Sequence, residues 1–173
     1  MLTVNDIISR LKTLDWSTED REVNTQHSRK AAYLVNKKYN KYAVPPIYAE
    51  KIVQEEGLSL SYRHLTPPYI AAFNRKEKMI ILTDDRELLK KWGNFALAHA
   101  LGHWYLHDNQ IDYFSSASLG KHASREDQEA NHFASHLLMP KKLMQEWQWL
   151  PKQLFTSAFN VPTEGMTFRF STV

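Results

Sequence analysis

Two stretches of the chain place apolar residues at the 3.6-residue spacing of an α-helix. The first covers residues 86–107 and is apolar on most faces around its middle, so we expect it to run through the centre of the protein. Asp84 and Asp85 stand before it as N-cap candidates. The second begins at Ser124 as N-cap and ends before Pro140. These two helices are predicted to form the middle of the fold.

Three short runs with strand character precede the first of these helices. They occupy residues 58–63, 69–74 and 78–83, and the polar residues N-R-K-E between the last two form a loop of hairpin length. The pattern therefore predicts a small three-stranded sheet. Residues 108–120, which include S-S-A-S-L-G, are predicted to form a loop.

The remaining segments are predicted to be helical, which makes the fold class α+β and mostly helical. Helices are expected near Val4 to Lys12, within residues 18–38 and, after Pro45 and Pro46, over residues 47–56. At 173 residues the chain fits one domain. Its predicted parts are N-terminal helices about 1–56, the sheet at 58–83, the central helices 86–107 and 124–139, and a helical tail 141–173 broken at Pro151 and Pro162.

Composition and charge exclude several classes of function. Lysine and arginine number 22 against 19 aspartate and glutamate residues, and this small surplus is dispersed, so direct binding of nucleic acid is not expected. The chain has no cysteine, which excludes disulfides and thiolate metal ligands. Without a long apolar run or a signal-peptide pattern, we expect a soluble cytoplasmic protein that does not bind membranes.

The segment F-A-L-A-H-A-L-G-H, residues 95–103, indicates metal binding. His99 and His103 are four residues apart, so on a helix both side chains can bind one cation. A catalytic zinc usually has a third protein ligand. His107 lies roughly 12 Å along the helix axis from His99 and is not expected to reach the cation. Glu126 and Glu129 on the next helix are the better candidates, and their spacing does not decide between them.

Two motifs together resemble a known family. The segments F-A-L-A-H-A-L-G-H-W-Y-L-H and E-A-N-H-F-A-S-H-L-L-M-P are similar to those of ImmA/IrrE zinc metallopeptidases, which have F-x-x-A-H-E-x-G-H followed by E-A-N, F-A and L-L-M-P. The resemblance implies a zincin-like fold that binds Zn²⁺ through His99, His103 and Glu129, with Glu126 in reserve. It also implies that the strand around Met79 to Thr83 is an edge on which an extended substrate lies.

The chain departs from this family at Ala100, where the family has the glutamate that serves as general base. Loss of a positioned general base typically lowers a rate by ~10² to 10⁴, so we expect metal binding with very poor cleavage. By resemblance the substrate is a protein, typically a helix-turn-helix transcriptional repressor cut under stress or during mobile-element induction.

Two explanations for Ala100 remain open. The rest of the motif, including Gly102 and Asn131, is intact, which favours deliberate replacement of a glutamate. The alternative is a natural pseudopeptidase that regulates a transcription factor by binding it.

Overall fold

The computed structural model describes residues 23–40, 44–108, 111–120 and 123–172. The helix predicted at Val4 to Lys12 lies outside these ranges. In the described ranges the elements are α1 (Thr25–Tyr39), α2 (Ala49–Glu55), β1 (Ser59–Arg63), β2 (Tyr69–Asn74), β3 (Met79–Thr83), α3 (Arg86–Leu106), β4 (Ile111–Ser115), a 3₁₀ turn (Ser116–Leu119), α4 (Arg125–Leu138), α5 (Lys141–Trp147), α6 (Lys152–Phe159) and α7 (Thr163–Ser171). The α+β class is confirmed.

Helix α3 packs against the sheet on one side and α4 on another. The Asp85 carboxylate caps its first turn by accepting hydrogen bonds from the backbone N–H groups of Glu87 and Leu88, at 2.9 and 3.0 Å. At the other end Arg75, from the β2–β3 turn, donates 2.8 Å hydrogen bonds to the carbonyls of His103 and Trp104. A cation at the carbonyl end of a helix is favourable. Asp85 therefore stabilises the first turn of α3, and Arg75 stabilises the last.

The sheet has four strands, so the prediction of three was wrong. Their order is β1-β3-β2-β4, with β1 parallel to β3 and the other neighbours antiparallel. The prediction that the strand at residues 79–83 is an edge was also wrong, because β1 and β2 both pair with β3. β1 and β4 form the edges. The extra strand is only five residues long, and the acidic residue Asp112 interrupts the apolar pattern that signals a strand.

The register of β4 is set by one buried aromatic ring. Phe114 packs on Phe95, Trp92 and His99, with ring centroids 6.0, 5.8 and 4.7 Å away. Successive strand residues face opposite sides, so Asp112 points to the same side as Phe114, toward α3, and Tyr113 points away. A slip of one residue would expose Phe114, and burial of this ring therefore holds Asp112 over α3.

Helix α1 covers the far side of α4. Its residues Ala31, Ala32 and Val35 are fully buried, and the side-chain amide of Asn36 donates to the carbonyl of Leu137 at 2.9 Å. The C-terminal segment has helices that end before Pro151 and Pro162, as predicted. Among the helices described here, none combines the length and apolar character that a membrane span requires.

Candidate metal centre

His99 and His103 point the same ring nitrogen at one location. Their Nε2 atoms are 3.0 Å apart, and both residues are about 1% exposed. The rings lie on the face of α3 that meets the sheet and α4, where Phe114 covers His99. Two imidazole nitrogens on successive helical turns are half of a typical zinc site.

Two aspartates complete this group from opposite sides. Asp127 Oδ1, on α4, lies 3.5 Å from His99 Nε2 and 3.7 Å from His103 Nε2. Asp112 Oδ2, on β4, lies 3.9 Å from His99 Nε2 and contacts His103 Nε2. The four atoms lie within 4.8 Å of one another. Ligands about 2.0–2.1 Å from a tetrahedral zinc are separated by about 3.4 Å, so this spacing suits a single small cation.

The buried carboxylate oxygens support this assignment. Asp112 Oδ2 and Asp127 Oδ1 are shielded from solvent, and neither makes a geometrically acceptable hydrogen bond with any residue that the structure describes. A buried carboxylate oxygen without a donor is costly, and a bound cation removes that cost. The donor set of two imidazoles and two carboxylates therefore fits a divalent metal such as zinc.

The pKa values of these side chains also favour binding of a cation at this location. Burial would raise the pKa of Asp127, but contacts with His103 and His99 hold it well below its ordinary value, so the side chain is ionised. Burial lowers the pKa of His99. Burial also acts to lower the pKa of His103, yet Asp112 and Asp127 raise it overall, so in the metal-free protein this ring keeps a proton to a higher pH than a free imidazole does. Metal binding would release that proton.

Asn131 fixes the orientation of His99. Its side-chain oxygen lies 2.9 Å from His99 Nδ1, and its amide donates to the carbonyl of Ser118 at 2.7 Å. With its amide committed to Ser118, Asn131 presents an acceptor, so His99 Nδ1 has the proton and Nε2 presents its lone pair to the metal position.

A chain of hydrogen bonds orients His103 in the same way. His103 Nδ1 lies 3.0 Å from His107 Nδ1, and His107 Nε2 lies 2.9 Å from Glu129 Oε2. Glu129 Oε1 accepts a 2.9 Å hydrogen bond from the backbone N–H of Asn24. Burial raises the pKa of Glu129, but His107 and Asn24 lower it overall, so it is ionised. An ionised Glu129 accepts the Nε2 proton of His107, whose Nδ1 then accepts from His103 and leaves His103 Nε2 free.

The family model of the IrrE N-terminal-like domain, a peptidase family termed M78, matches residues 47–171. This chain belongs to the IrrE N-terminal-like peptidase family. No curated protein matches the chain. The family match includes the residues of both helical motifs, and it supports a metallopeptidase-type fold.

In this IrrE-like fold the predicted ligand Glu129 and its reserve Glu126 do not join the converging group. The physical reason is helical geometry: at about 100° per residue, Glu129 is displaced by about 200° around α4 from Asp127. Glu129 instead contacts His107, as an outer partner of His103. Asp127 lies four residues before Asn131, on the same face. The four-residue spacing from Asn131 could have predicted from the sequence that Asp127 joins the metal group. No sequence pattern predicted Asp112, because it lies in a segment that was expected to be a loop.

Ala100 lies beside the metal group, at the position for which the sequence resemblance predicts a glutamate. It is 3% exposed and lines a cavity of about 10 Å³, roughly one water-sized sphere, together with His99, His103 and Asp112. Its methyl group can neither accept nor donate a proton. Among the described residues, the cavity beside the two histidines is too small for a polypeptide.

A second histidine pair, His132 and His136, lies off this face and is not part of the metal group. Burial, followed by the charges of Arg29 and Arg169, lowers the pKa of His132 from 6.5 to about 4. Because the pKa of His132 is lower in the folded state, the unfolded chain binds this proton at a higher pH than the folded protein does. The contribution of neutral His132 to the free energy of unfolding is therefore fully present above pH 6.5 and is lost as the pH falls toward 4.

Acid should therefore destabilise the protein through His132. Between pH 7 and 4.5 the free energy of unfolding of metal-free protein is expected to fall about 2 kcal/mol less in His132→Phe than in the parent chain. Urea unfolding at the two pH values measures this difference, and His64→Phe, at a largely exposed histidine, is the control. Equal losses in the parent chain and His132→Phe would contradict the assignment.

Proposed function

We propose that this protein is a zinc-dependent endopeptidase of the IrrE type, present in a form that is inactive because position 100 is alanine. The observation that supports this proposal best is the convergence of His99, His103 and Asp127 on one location beside Ala100. In this proposal the three side chains are the ligands of a hydrolytic site, and Ala100 cannot serve as its proton acceptor. The family match gives independent support for metallopeptidase ancestry.

The roles of the residues follow from their positions. A zinc ion held by His99, His103 and Asp127 would supply Lewis acidity and lower the pKa of bound water. Asn131 and the pair His107 and Glu129 hold the two rings in the tautomer that binds metal. Ala100 provides no group to take a proton or return it to a leaving amine. Hydrolysis therefore lacks its general base, while binding of metal is retained.

The proposed substrate is a protein, specifically a helix-turn-helix repressor, in the cytoplasm during stress or mobile-element induction. Support comes from the family resemblance and from the sheet, because β4 is an edge strand beside the metal group. An extended segment of the substrate can add to such an edge through backbone hydrogen bonds. We therefore propose β4, and not residues 79–83, as the edge to which the substrate adds. Direct binding of nucleic acid or membrane is not part of the proposal.

Restoring the acidic side chain tests the proposal. Ala100→Glu, loaded with zinc, is expected to cleave the repressor encoded beside its gene ~10² to 10⁴ times faster than the parent chain, because a general base is regained. Mass spectrometry of the products measures cleavage. Ala100→Gln is the matched control, since it has nearly the same shape and cannot accept the proton. Equal rates for all three chains, with zinc bound, would contradict the proposal.

A second candidate function is regulation by binding alone. It is favoured by the cavity that Ala100 lines, whose volume of about 10 Å³ is roughly that of one water-sized sphere. This hypothesis predicts that the chain binds the repressor and changes its DNA affinity without cutting it, and that Ala100→Glu alters neither property. The codon at position 100 in the source gene also separates the two, because an alanine codon favours the binding protein and a glutamate codon favours the enzyme.

A further inference from the structure

Asp112 approaches the metal group from the side opposite α4. It is on the edge strand β4, and burial of Phe114 two residues later fixes its direction toward α3. Its side chain is 20% exposed, yet Oδ2 is shielded from solvent and makes no acceptable hydrogen bond within the described ranges. This oxygen contacts His103 Nε2 and lies 3.9 Å from His99 Nε2. These are the two atoms that the metal ligand Asp127 also faces.

Ala100 is adjacent to this carboxylate. Both residues line the same small cavity, together with His99, His103 and Ala71 of β2. A larger acidic residue at position 100 would bring a second negative charge into this cavity, close to Asp112. Alanine leaves the carboxylate of Asp112 as the sole acidic group on this side of the histidines among the residues that line the cavity.

We propose that Asp112 is a fourth metal ligand, which closes the centre to water and substrate. This inference rests on the proposed metal site, and it adds that β4 occupies the position that a hydrolytic zinc keeps open. Zinc with four protein ligands is the pattern of structural sites, whereas catalytic sites have three and an exchangeable position. With Asp112 bound, the chain holds its metal in a closed centre, and β4 must move before anything else can bind the ion.

Asp112 could instead replace the missing general base. A base acts on a water molecule bound to the metal, so its oxygen lies one molecule further out than the ligand atoms. Asp112 Oδ2 contacts His103 Nε2 directly, and it lies with Asp127 Oδ1 and the two Nε2 atoms in one group whose members are within 4.8 Å of one another. This geometry favours the role of ligand, and the two roles predict different results below.

The test uses the full chain loaded with Co²⁺, whose visible absorption depends on the number of ligands, and acetohydroxamic acid, which binds a metal with an open position. In the parent chain acetohydroxamic acid is expected to leave the spectrum unchanged. In Asp112→Ala it should shift the spectrum, and competition with a chromophoric chelator should show zinc affinity lowered by more than roughly 10-fold, while one metal per chain remains at saturation. Tyr113→Phe, on the opposite face of β4, is the matched control and should behave as the parent chain.

Three results would overturn the proposal in distinguishable ways. Acetohydroxamic acid that binds equally well to the parent chain and Asp112→Ala would show that the centre is already open. Unchanged zinc affinity in Asp112→Ala, with repressor cleavage by the parent chain abolished in that variant, would assign the role of base. Failure of the parent chain to bind one metal would refute the metal site and hence the proposed function as well. Circular dichroism of Asp112→Ala verifies that the variant is folded.

Discussion

Asp127→Asn is expected to weaken zinc binding by more than roughly 100-fold, the largest effect among the acidic residues of α4. The charged oxygen that lies 3.5 and 3.7 Å from the two histidine nitrogens is replaced by a neutral amide. Competition with a chromophoric chelator at fixed pH measures the affinity. Because the pKa of Asp127 is lowered by these same histidines, its charge is present throughout the usable pH range.

Two neighbouring glutamates on α4 provide matched controls. Glu129→Gln removes the charge behind His107 and is expected to weaken zinc binding roughly 10- to 100-fold, as loss of an outer partner does. Glu126→Gln should leave the affinity unchanged. If Glu129→Gln weakened binding more than Asp127→Asn did, Glu129 would be the third ligand, as the family resemblance implies, and the geometry of α4 described here would be wrong.

Gly102→Ala should destabilise the protein and its metal site together. A Cβ atom at position 102 would lie 2.8 Å from Ala130 Cα and 3.1 Å from the Ala130 carbonyl oxygen, and backbone atoms cannot move aside cheaply. Overpacking of this kind costs ~1 to 3 kcal/mol. It also pushes α3 away from α4, and these helices hold His103 and Asp127. Urea unfolding with and without zinc should show lower stability in both states and a smaller gain from zinc.

Gly93→Ala in the same helix is the control. Its added Cβ would meet only Leu89 Cδ2, at 3.7 Å, which is ordinary contact. Alanine is favoured over glycine inside a helix by ~0.5 to 1 kcal/mol, so this variant should be more stable than the parent chain and bind zinc equally well. Similar stabilities for Gly93→Ala and Gly102→Ala would mean that α3 and α4 are not in backbone contact at Gly102.

The helices and three of the strands were accessible from the sequence because their signals are local. The cap at Asp85, the apolar spacing of α3 and the breaks at Pro151 and Pro162 each depend on neighbouring residues. Strand β4 was missed because its pairing with β2 is decided by distant residues. Its side-chain pattern contains one buried ring, Phe114, next to an acidic and an exposed residue.

The residues of the metal group differ in the same way, because only some of them have a local sequence signal. The sequence predicted that His99 and His103 lie together because both residues are on one helix at a fixed spacing. The identity of the carboxylates depends on how α4 is rotated against α3 and on where β4 crosses, and neither is encoded by spacing. The sequence therefore favoured Glu129, which the fold places behind His107, and gave no signal for Asp112.

The hydrogen bond from Asn24 to Glu129 has a consequence for the boundaries of the functional unit. The family match begins at residue 47, and every atom of the metal group lies inside it. Asn24 lies before that boundary, at the start of a helix whose Ala31, Ala32 and Val35 are buried against the rest of the fold. A fragment trimmed to the matched residues would have all four side chains of the metal group and would still lack part of the scaffold that aligns His103. The segment that matches the family is therefore shorter than the segment whose contacts support the metal group.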